Sequence, residues 1–339
     1  MNIIIPMAGR GSRLRPHTLT TPKPLVPVAG KPIVERLVED IVRMLPESVD
    51  KIAFVTGRFG AESENALLEV AKRLGAEGRI CYQDEPLGTA HAILCGEELL
   101  EGPVVVAFAD TLFRADFTIS AEADGVLFTQ KIEDPRAFGV VVTDEGGNIT
   151  DYVEKPQEFV SDQAMIGIYS FKDGARLKKE LQYLIDNNVL LAGEYQLPDA
   201  LRNMTKNGLK FIPGEVSEWM DCGNKKVTVE TNRRVLNILE EEGRLHEGDG
   251  VDPSANIIDS TIVPPCYIGP GVTIVRSVVG PHVSLGANTA VTNSTLQDCL
   301  IQGDTTIDNS VMDGAMVGAK ASVVGTPLDV SIGDFSSIG

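Results

Sequence analysis

The sequence predicts an α/β protein with two architectures in one chain: a Rossmann-like, doubly wound mixed sheet, then a left-handed parallel β-helix. Residues 1–225 alternate short β-branched runs with amphipathic stretches, the pattern of strands fed by crossover helices. After Gly248 the composition changes abruptly: residues 251–339 hold no Glu and only Arg276 and Lys320 as basic residues, yet are rich in Val, Ile, Gly, Ser and Thr. In that segment aliphatic residues recur every six positions, the spacing of a hexapeptide coil.

Strands are expected at Asn2–Pro6, Lys51–Thr56, Arg79–Gln83, Pro103–Phe108, Gly125–Thr129, Met165–Phe171 and Leu209–Ile212. Amphipathic stretches lie at Ile33–Met44, Glu62–Leu74 and Thr89–Leu100. Ligands of such sheets bind beyond the carboxyl ends of strands, so the loops after Pro6, Gln83 and Phe108 are the first places to look for chemistry. Lys225–Glu242 reads as one helix, with Val229, Val235, Leu236 and Leu239 on its stripe. The coil pattern follows as Ile268/Ile274, Val279/Leu285/Val291, Ile301/Ile307, Val317/Val323 and Ile332/Ile338, and some steps of five residues make it irregular. Turns are marked by Ile268-Gly269, Leu285-Gly286, Val317-Gly318 and Ile332-Gly333. A β-sandwich is the competing reading, disfavoured by that period and by the lack of helix formers. The expected organisation is therefore a catalytic domain 1–225, a connecting helix and linker 226–250, and the β-helix 251–339. The pattern breaks off mid-repeat at Gly339, so a truncated chain is expected.

Bulk properties narrow the function. The chain has 339 residues, 43% of them hydrophobic, enough for more than one core. Mean hydropathy is near zero, and no apolar run reaches the roughly 18 residues a membrane span needs. The N-terminus lacks the basic flank of a signal peptide. A net charge of −18 disfavours nucleic acid and anionic membranes as partners, so anionic substrates would need local cations or a divalent metal. The five cysteines (Cys81, Cys95, Cys222, Cys266, Cys299) are scattered without a C-x-x-C pair. That excludes a zinc ribbon or a disulfide framework and points to the cytosol. None of the four histidines, among them His17, His91, His246 and His282, has a nucleophile or metal partner at a recognisable spacing.

The densest chemistry runs from Pro6 to Pro24. Gly9 and Gly11 allow backbone N–H groups to approach a phosphate. Arg10, Arg13 and Arg15 add charge, and Lys23 sits between two prolines that stiffen its loop. A Walker A loop is excluded because no Gly-Lys-Ser/Thr opens a helix. A dinucleotide fingerprint is excluded because Pro16, Pro22, Pro24 and Pro27 prevent the helix it requires.

The run Gly9, Gly11, Arg13, Leu14, Pro16, Thr18, Pro22, Lys23, Pro24 resembles the G-x-G-x-R-L-x-P-x-T…P-K-P signature of sugar nucleotidylyltransferases. The overall pattern is closest in type to the glucose-1-phosphate thymidylyltransferases. The resemblance implies the nucleotide-diphospho-sugar transferase fold. It also implies attack of a sugar 1-phosphate oxygen on the α-phosphorus of an NTP, with release of pyrophosphate. It makes Arg13 and Lys23 catalytic: Arg13 on the triphosphate, Lys23 bridging the α-phosphate and the sugar phosphate. Both suit a reaction that must screen two anions. It puts the nucleotide against Ala8, Gly9, Gly11, Gln83, Gly88, Thr89 and Asp110. A Gln carboxamide can pair with the N3–H/O4 edge of uracil or thymine. The sugar phosphate is expected at Gly139, Glu154, Lys155 and Ile166, and Mg²⁺ between Asp110 and Asp221. Two positions depart from the family pattern: Ala109-Asp110-Thr111 where Gly-Asp-Asn or Gly-Asp-His is usual, and Asn224 in place of the Thr of W-x-D-x-G-T. The Gly193-Glu194-Tyr195 match has no assigned role.

The expected substrates are dTTP or UTP with glucose 1-phosphate. Alternatives are guanylyl transfer to mannose 1-phosphate, a second acyl-transfer activity using His282, or a non-catalytic sugar-nucleotide sensor. The flat coil faces predict a homo-oligomer.

Overall fold

The computed structural model describes residues 1–9, 11–115, 119, 123–245, 250–325 and 329–338. Arg10, His246, Gly248 and Gly339 lie outside the described residues. By internal contacts the chain divides into two units, residues 1–9 with 37–219 and residues 10–36 with 220–339. The sequence boundaries were drawn by composition; these are drawn by packing. Among the described residues no helix is long and apolar enough to cross a membrane, and none of the five cysteines is in a disulfide.

The first unit is built on a nine-stranded mixed sheet. Its parallel half sets Asn2–Pro6 between Lys51–Thr56 and Val104–Ala107, with Glu77–Tyr82 at the edge. Ile3, Ile4 and Ile5 are wholly buried, as expected of a strand covered on both faces. The antiparallel half turns on the long strand Gln163–Phe171, which pairs with Val104–Ala107, Gly125–Lys131 and Gly139–Thr143. Gly139–Thr143 also forms a hairpin with Ile149–Glu154, and Phe211–Glu215 runs parallel to Gly125–Lys131. Helices α1 (Ile33–Met44) and α2 (Ala61–Arg73) match the predicted stretches. The third is shorter: α3 covers Thr89–Leu94 and gives way to a 3-10 turn at Glu97–Leu99. A Cβ at Gly96 would stand 3.3 Å from Ile4 Cγ2, so the helix stops where the backbone presses on the sheet. The hairpin of residues 139–154 and helices α4 (Gly174–Asp186) and α5 (Leu197–Lys206) were not predicted.

The second unit contains helix α6 (Lys225–Glu241) and three all-parallel sheets of short strands, a parallel β-helix. Partners Ile274, Val291, Ile307, Val323 and Ile338 are stacked at intervals of 17, 16, 16 and 15 residues, which is the predicted irregularity. The predicted aliphatic positions are buried from Ile268 to Ile332; Ile338, in the final strand, is 42% exposed. Corners are turned by left-handed residues: Asp259, Arg276, Asn293 and Asn309 all have φ between 47° and 49°. Three of the four are Asp or Asn, which tolerate that region best. Beside them runs a serine ladder. Ser260, Ser277 and Ser294 Oγ accept the backbone N–H of Ser277, Ser294 and Ser310 at 3.0 Å, satisfying buried donors coil after coil.

Candidate active site

In the second unit, Gly11 adopts φ 59° and opens a 3-10 turn, Ser12–Leu14. Leu14 is buried beneath the turn and Arg13 is exposed on it. Thr18 Oγ1 donates to Gly11 O at 2.8 Å. Lys23 begins a second 3-10 turn, flanked by Pro22 and Pro24, and only 8% of it is accessible. A Cβ on Gly11 would stand 2.9 Å from Lys23 Cβ and 3.3 Å from Thr18 Cγ2. Glycine is thus required twice, by its left-handed backbone and by the lysine stem packed against it. The prolines do prevent an α-helix here, and the loop is two short turns with a nearly buried lysine.

Both ends of this loop are held by the coils. Upstream, His17 is fully buried with Nε2 3.1 Å from Ser331 Oγ, Thr20 Oγ1 donates to Asp334, and Pro16 packs on Gly333. Burial lowers the His17 pKa to about 4; Asp334 opposes this and Lys225 adds to it, so the ring is neutral at pH 7. Downstream, Pro27–Val28 and Lys31–Pro32 form a hairpin whose turn residues Ala29 and Gly30 have φ 47° and 86°. The Tyr267 ring covers Gly30 so closely that no Cβ would fit. Asn232 of α6 is wholly buried: its Oδ1 accepts from Ala29 N at 2.9 Å and Ser284 Oγ at 2.7 Å. Asp221 is exposed at the end of strand Glu218–Asp221, its carboxylate folded over Gly223, where a Cβ would meet it at 2.9 Å. Asn224, the departure from the expected Thr, caps α6 by accepting from Val227 N.

In the first unit, the carboxyl ends of the parallel strands carry Ala8 and Gly9, Gln83, and Asp110, as the sheet rule predicts. Ala8 is half-buried and Gly9 exposed. Gly88 has φ 111°, and a Cβ there would lie 2.4 Å from Tyr195 O. Tyr195 N donates to Leu87 O and Ala90 N to Tyr195 O, so the Gly193-Glu194-Tyr195 segment clamps the Gln83 loop by its backbone. Thr89 is committed to α5: it donates to Gln196 Oε1 and accepts from Leu197 N at 2.9 Å. Arg58, not singled out in the sequence, grips Asp84 of the same loop with two bonds of 2.7 and 2.9 Å and lies 3.8 Å over the Tyr82 ring.

Asp110 occupies the turn before strand Thr111–Arg114 and is exposed. Trp219 Nε1 donates to Thr111 Oγ1 at 2.6 Å, and its ring meets Phe138 edge-on at 4.9 Å. Glu154 lies opposite Gly139 across the hairpin, and a Gly139 Cβ would be 2.8 Å from its Oε2. Lys155 follows in a left-handed conformation (φ 45°), its Nζ 3.7 Å from Glu154 Oε1. Ile166 is buried, 3% accessible, while Gly167 beside it sits under Phe108. His282 is locked among protein atoms: Nε2 is 2.9 Å from Asn237 Oδ1, and Nδ1 is 3.1 Å from Asp298 Oδ1, off hydrogen-bond alignment. Both ring nitrogens already face protein oxygens, which weighs against an acyl-transfer base there. Among the described residues no three His, Cys, Asp or Glu side chains gather as a metal site.

The nucleotidyl transferase family profile matches residues 2–238. The chain belongs to the nucleotidyl transferase family. A low-salt glycan biosynthesis nucleotidyltransferase of Haloferax volcanii is 30% identical over 95% of this chain and 94% of its own. A glucose-1-phosphate thymidylyltransferase of Streptomyces antibioticus is 29% identical over 95% and 93%. A crystal structure of UDP-glucose pyrophosphorylase complexed with UDP-glucose matches 70% of this chain and 98% of its own, at TM-score 0.56 and 25% identity. For this nucleotidyl transferase, the residues that sequence reading missed are those acting at a distance: Asn232, Tyr267 and Arg58. Only Asn232 left a signal, a polar residue in register with the apolar stripe of α6.

Proposed function

We propose that the chain joins dTTP or UTP to a sugar 1-phosphate, glucose 1-phosphate first, giving an NDP-sugar and pyrophosphate. A sugar-phosphate oxygen forms a bond to the α-phosphorus while the bond to the bridging β-phosphate oxygen breaks, and pyrophosphate leaves. The observation that carries this reading is the Gly11–Thr18–Lys23 arrangement: a nearly buried lysine whose stem packs against a left-handed glycine, with Arg13 exposed on the preceding 3-10 turn. Such placement suits positioning and charge screening, which dominate phosphoryl-type transfer. Glu154 above Gly139 offers two acceptors for sugar hydroxyls, and Lys155 a cation for the sugar phosphate. Gln83 reads the base. The clamp on Gly88 and the α5 cap formed by Thr89 support the shape of that loop.

Asp110 and Asp221 are exposed carboxylates at strand ends, a donor set suited to Mg²⁺, which takes one or two carboxylates and completes its shell with water and phosphate oxygens. When bound, the ion would neutralise triphosphate charge and orient the phosphate oxygens. The protein is expected to act as a homo-oligomer, and the exposed apolar Val278 and Val311 on one face of the coils are consistent with that. Incubation with dTTP, UTP, GTP, ATP or CTP, a sugar 1-phosphate and Mg²⁺ tests the function by pyrophosphate release. Release with dTTP or UTP and glucose 1-phosphate is expected; no release from any pair overturns it.

A further inference from the structure

Gln83 is placed at the end of strand Glu77–Tyr82, where its backbone N–H donates to Thr56 O at 2.9 Å. Its carboxamide nitrogen lies 3.1 Å from Gly88 O and 3.1 Å from His91 Nδ1. A carbonyl can only accept, so the nitrogen end of the amide must face Gly88. The second amide proton goes to His91, which therefore accepts through Nδ1 and carries its own proton on Nε2. Burial pushes the His91 pKa down against the opposing Glu85 carboxylate, which keeps the ring neutral and accepting. With both protons engaged, Oε1 is the part of the amide left to meet a base. Gly88, whose carbonyl sets one end of this geometry, is itself fixed by the backbone of Tyr195.

We propose that His91 is a positioning residue that locks the Gln83 amide oxygen-outward, so that the enzyme selects bases presenting a ring N–H donor and refuses those presenting a bare ring nitrogen. Uracil and thymine (N3–H) and guanine (N1–H) belong to the first class; cytosine N3 and adenine N1 belong to the second and would set two acceptors face to face. The assignment rests on the reading of Gln83 as the base-contacting side chain. It deepens that reading, because without His91 only the Gly88 carbonyl would oppose a turn of the amide towards the orientation that serves cytosine.

The test compares kcat and KM for UTP, dTTP, GTP, CTP and ATP, with an accepted sugar 1-phosphate, in wild type, His91→Leu, His91→Asn and Gln83→Leu. Wild type is expected to favour the ring N–H bases. His91→Leu should raise KM for the best of them about tenfold, with kcat nearly kept, and shrink the UTP-to-CTP preference by a similar factor, the weight of one hydrogen bond. His91→Asn, whose Oδ1 can stand where Nδ1 stood, should restore both. If Gln83→Leu collapses the preference while His91→Leu keeps it, the proposal fails and the base reading stands. If Gln83→Leu leaves the preference intact, the base reading fails and takes the proposal with it. Should His91→Leu not fold, ¹⁵N NMR of the wild-type ring decides: a protonated Nδ1 at neutral pH overturns the proposal.

Discussion

Trp219 Nε1 donates a 2.6 Å hydrogen bond to Thr111 Oγ1, the residue that follows Asp110 and departs from the usual Asn or His. The indole thus braces the Asp110 turn from one side and Phe138, next to Gly139, from the other. Thr111→Val keeps the shape and leaves a half-buried N–H without its acceptor. It should cost about 1 kcal/mol of stability, read as a lower urea midpoint with unchanged m value, and lower kcat through the Asp110 turn. An unchanged midpoint would mean that the hydrogen bond carries no weight.

Lys23→Met retains most of the aliphatic stem beside Gly11 and removes the charge. On the proposed function, kcat for pyrophosphate release should fall on the order of 10²- to 10³-fold, the size of a lost transition-state contact. Gly11→Ala should act through geometry, since the new methyl meets Lys23 Cβ at 2.9 Å in a backbone of φ 59°. A loss of about 1 kcal/mol or more and a raised KM for the nucleotide are expected. Near-wild-type kinetics in both variants would remove the loop from the reaction.

Asn232→Leu should leave the Ala29 N–H and the Ser284 hydroxyl buried without their shared acceptor. The expected destabilisation is about 3 kcal/mol, larger than for most single substitutions and visible as a drop in melting temperature. Asn232→Asp keeps the acceptor but buries a charge and turns an oxygen towards His282 O, so it should also destabilise, and less at low pH, where the protonated acid can donate there.

His17 supplies a pH dependence whose sign follows from burial. The unfolded ring takes up a proton near 6.5, whereas the folded ring resists to about 4. Between those values the unfolded chain binds more protons, so stability is lost as pH falls through the window and is fully present above it. The lost amount is on the order of 3 kcal/mol. Denaturation midpoints at pH 7, 5.5 and 4.5 should converge between wild type and His17→Gln as the pH drops, and parallel curves would assign the sensitivity elsewhere.

Much of this protein was legible in its sequence because the relevant physics is local. The six-residue aliphatic period located the β-helix, and even its irregularity, down to Ile332. Buried apolar runs located the parallel strands, and the prolines around Lys23 announced a loop without an α-helix. Two local signals went unused: the Gly146-Gly147 turn inside the 139–154 hairpin, and Asp173, which caps α4 by accepting from Ala175 N. Other features had no local signal. Ala29 and Asn232 meet across 203 positions, and Trp219 and Thr111 across 108. Ile166 looked like a lining residue by motif, but the alternation of its strand turns it inward. Thr89, expected at the nucleotide, spends its hydroxyl on the start of α5.

The coils and the loop bearing Lys23 pack as one body. Ser331 and Asp334 hold its leading end, and Tyr267 and Ser284, the latter through Asn232, hold its trailing hairpin. The β-helix is therefore a splint for that loop. A chain cut after α6 would keep every residue from Gly9 to Pro24 and still lose the scaffold that shapes that loop. Conversely, any neighbour that grips the final coil gains mechanical purchase on the loop bearing Lys23 through Pro16 and His17.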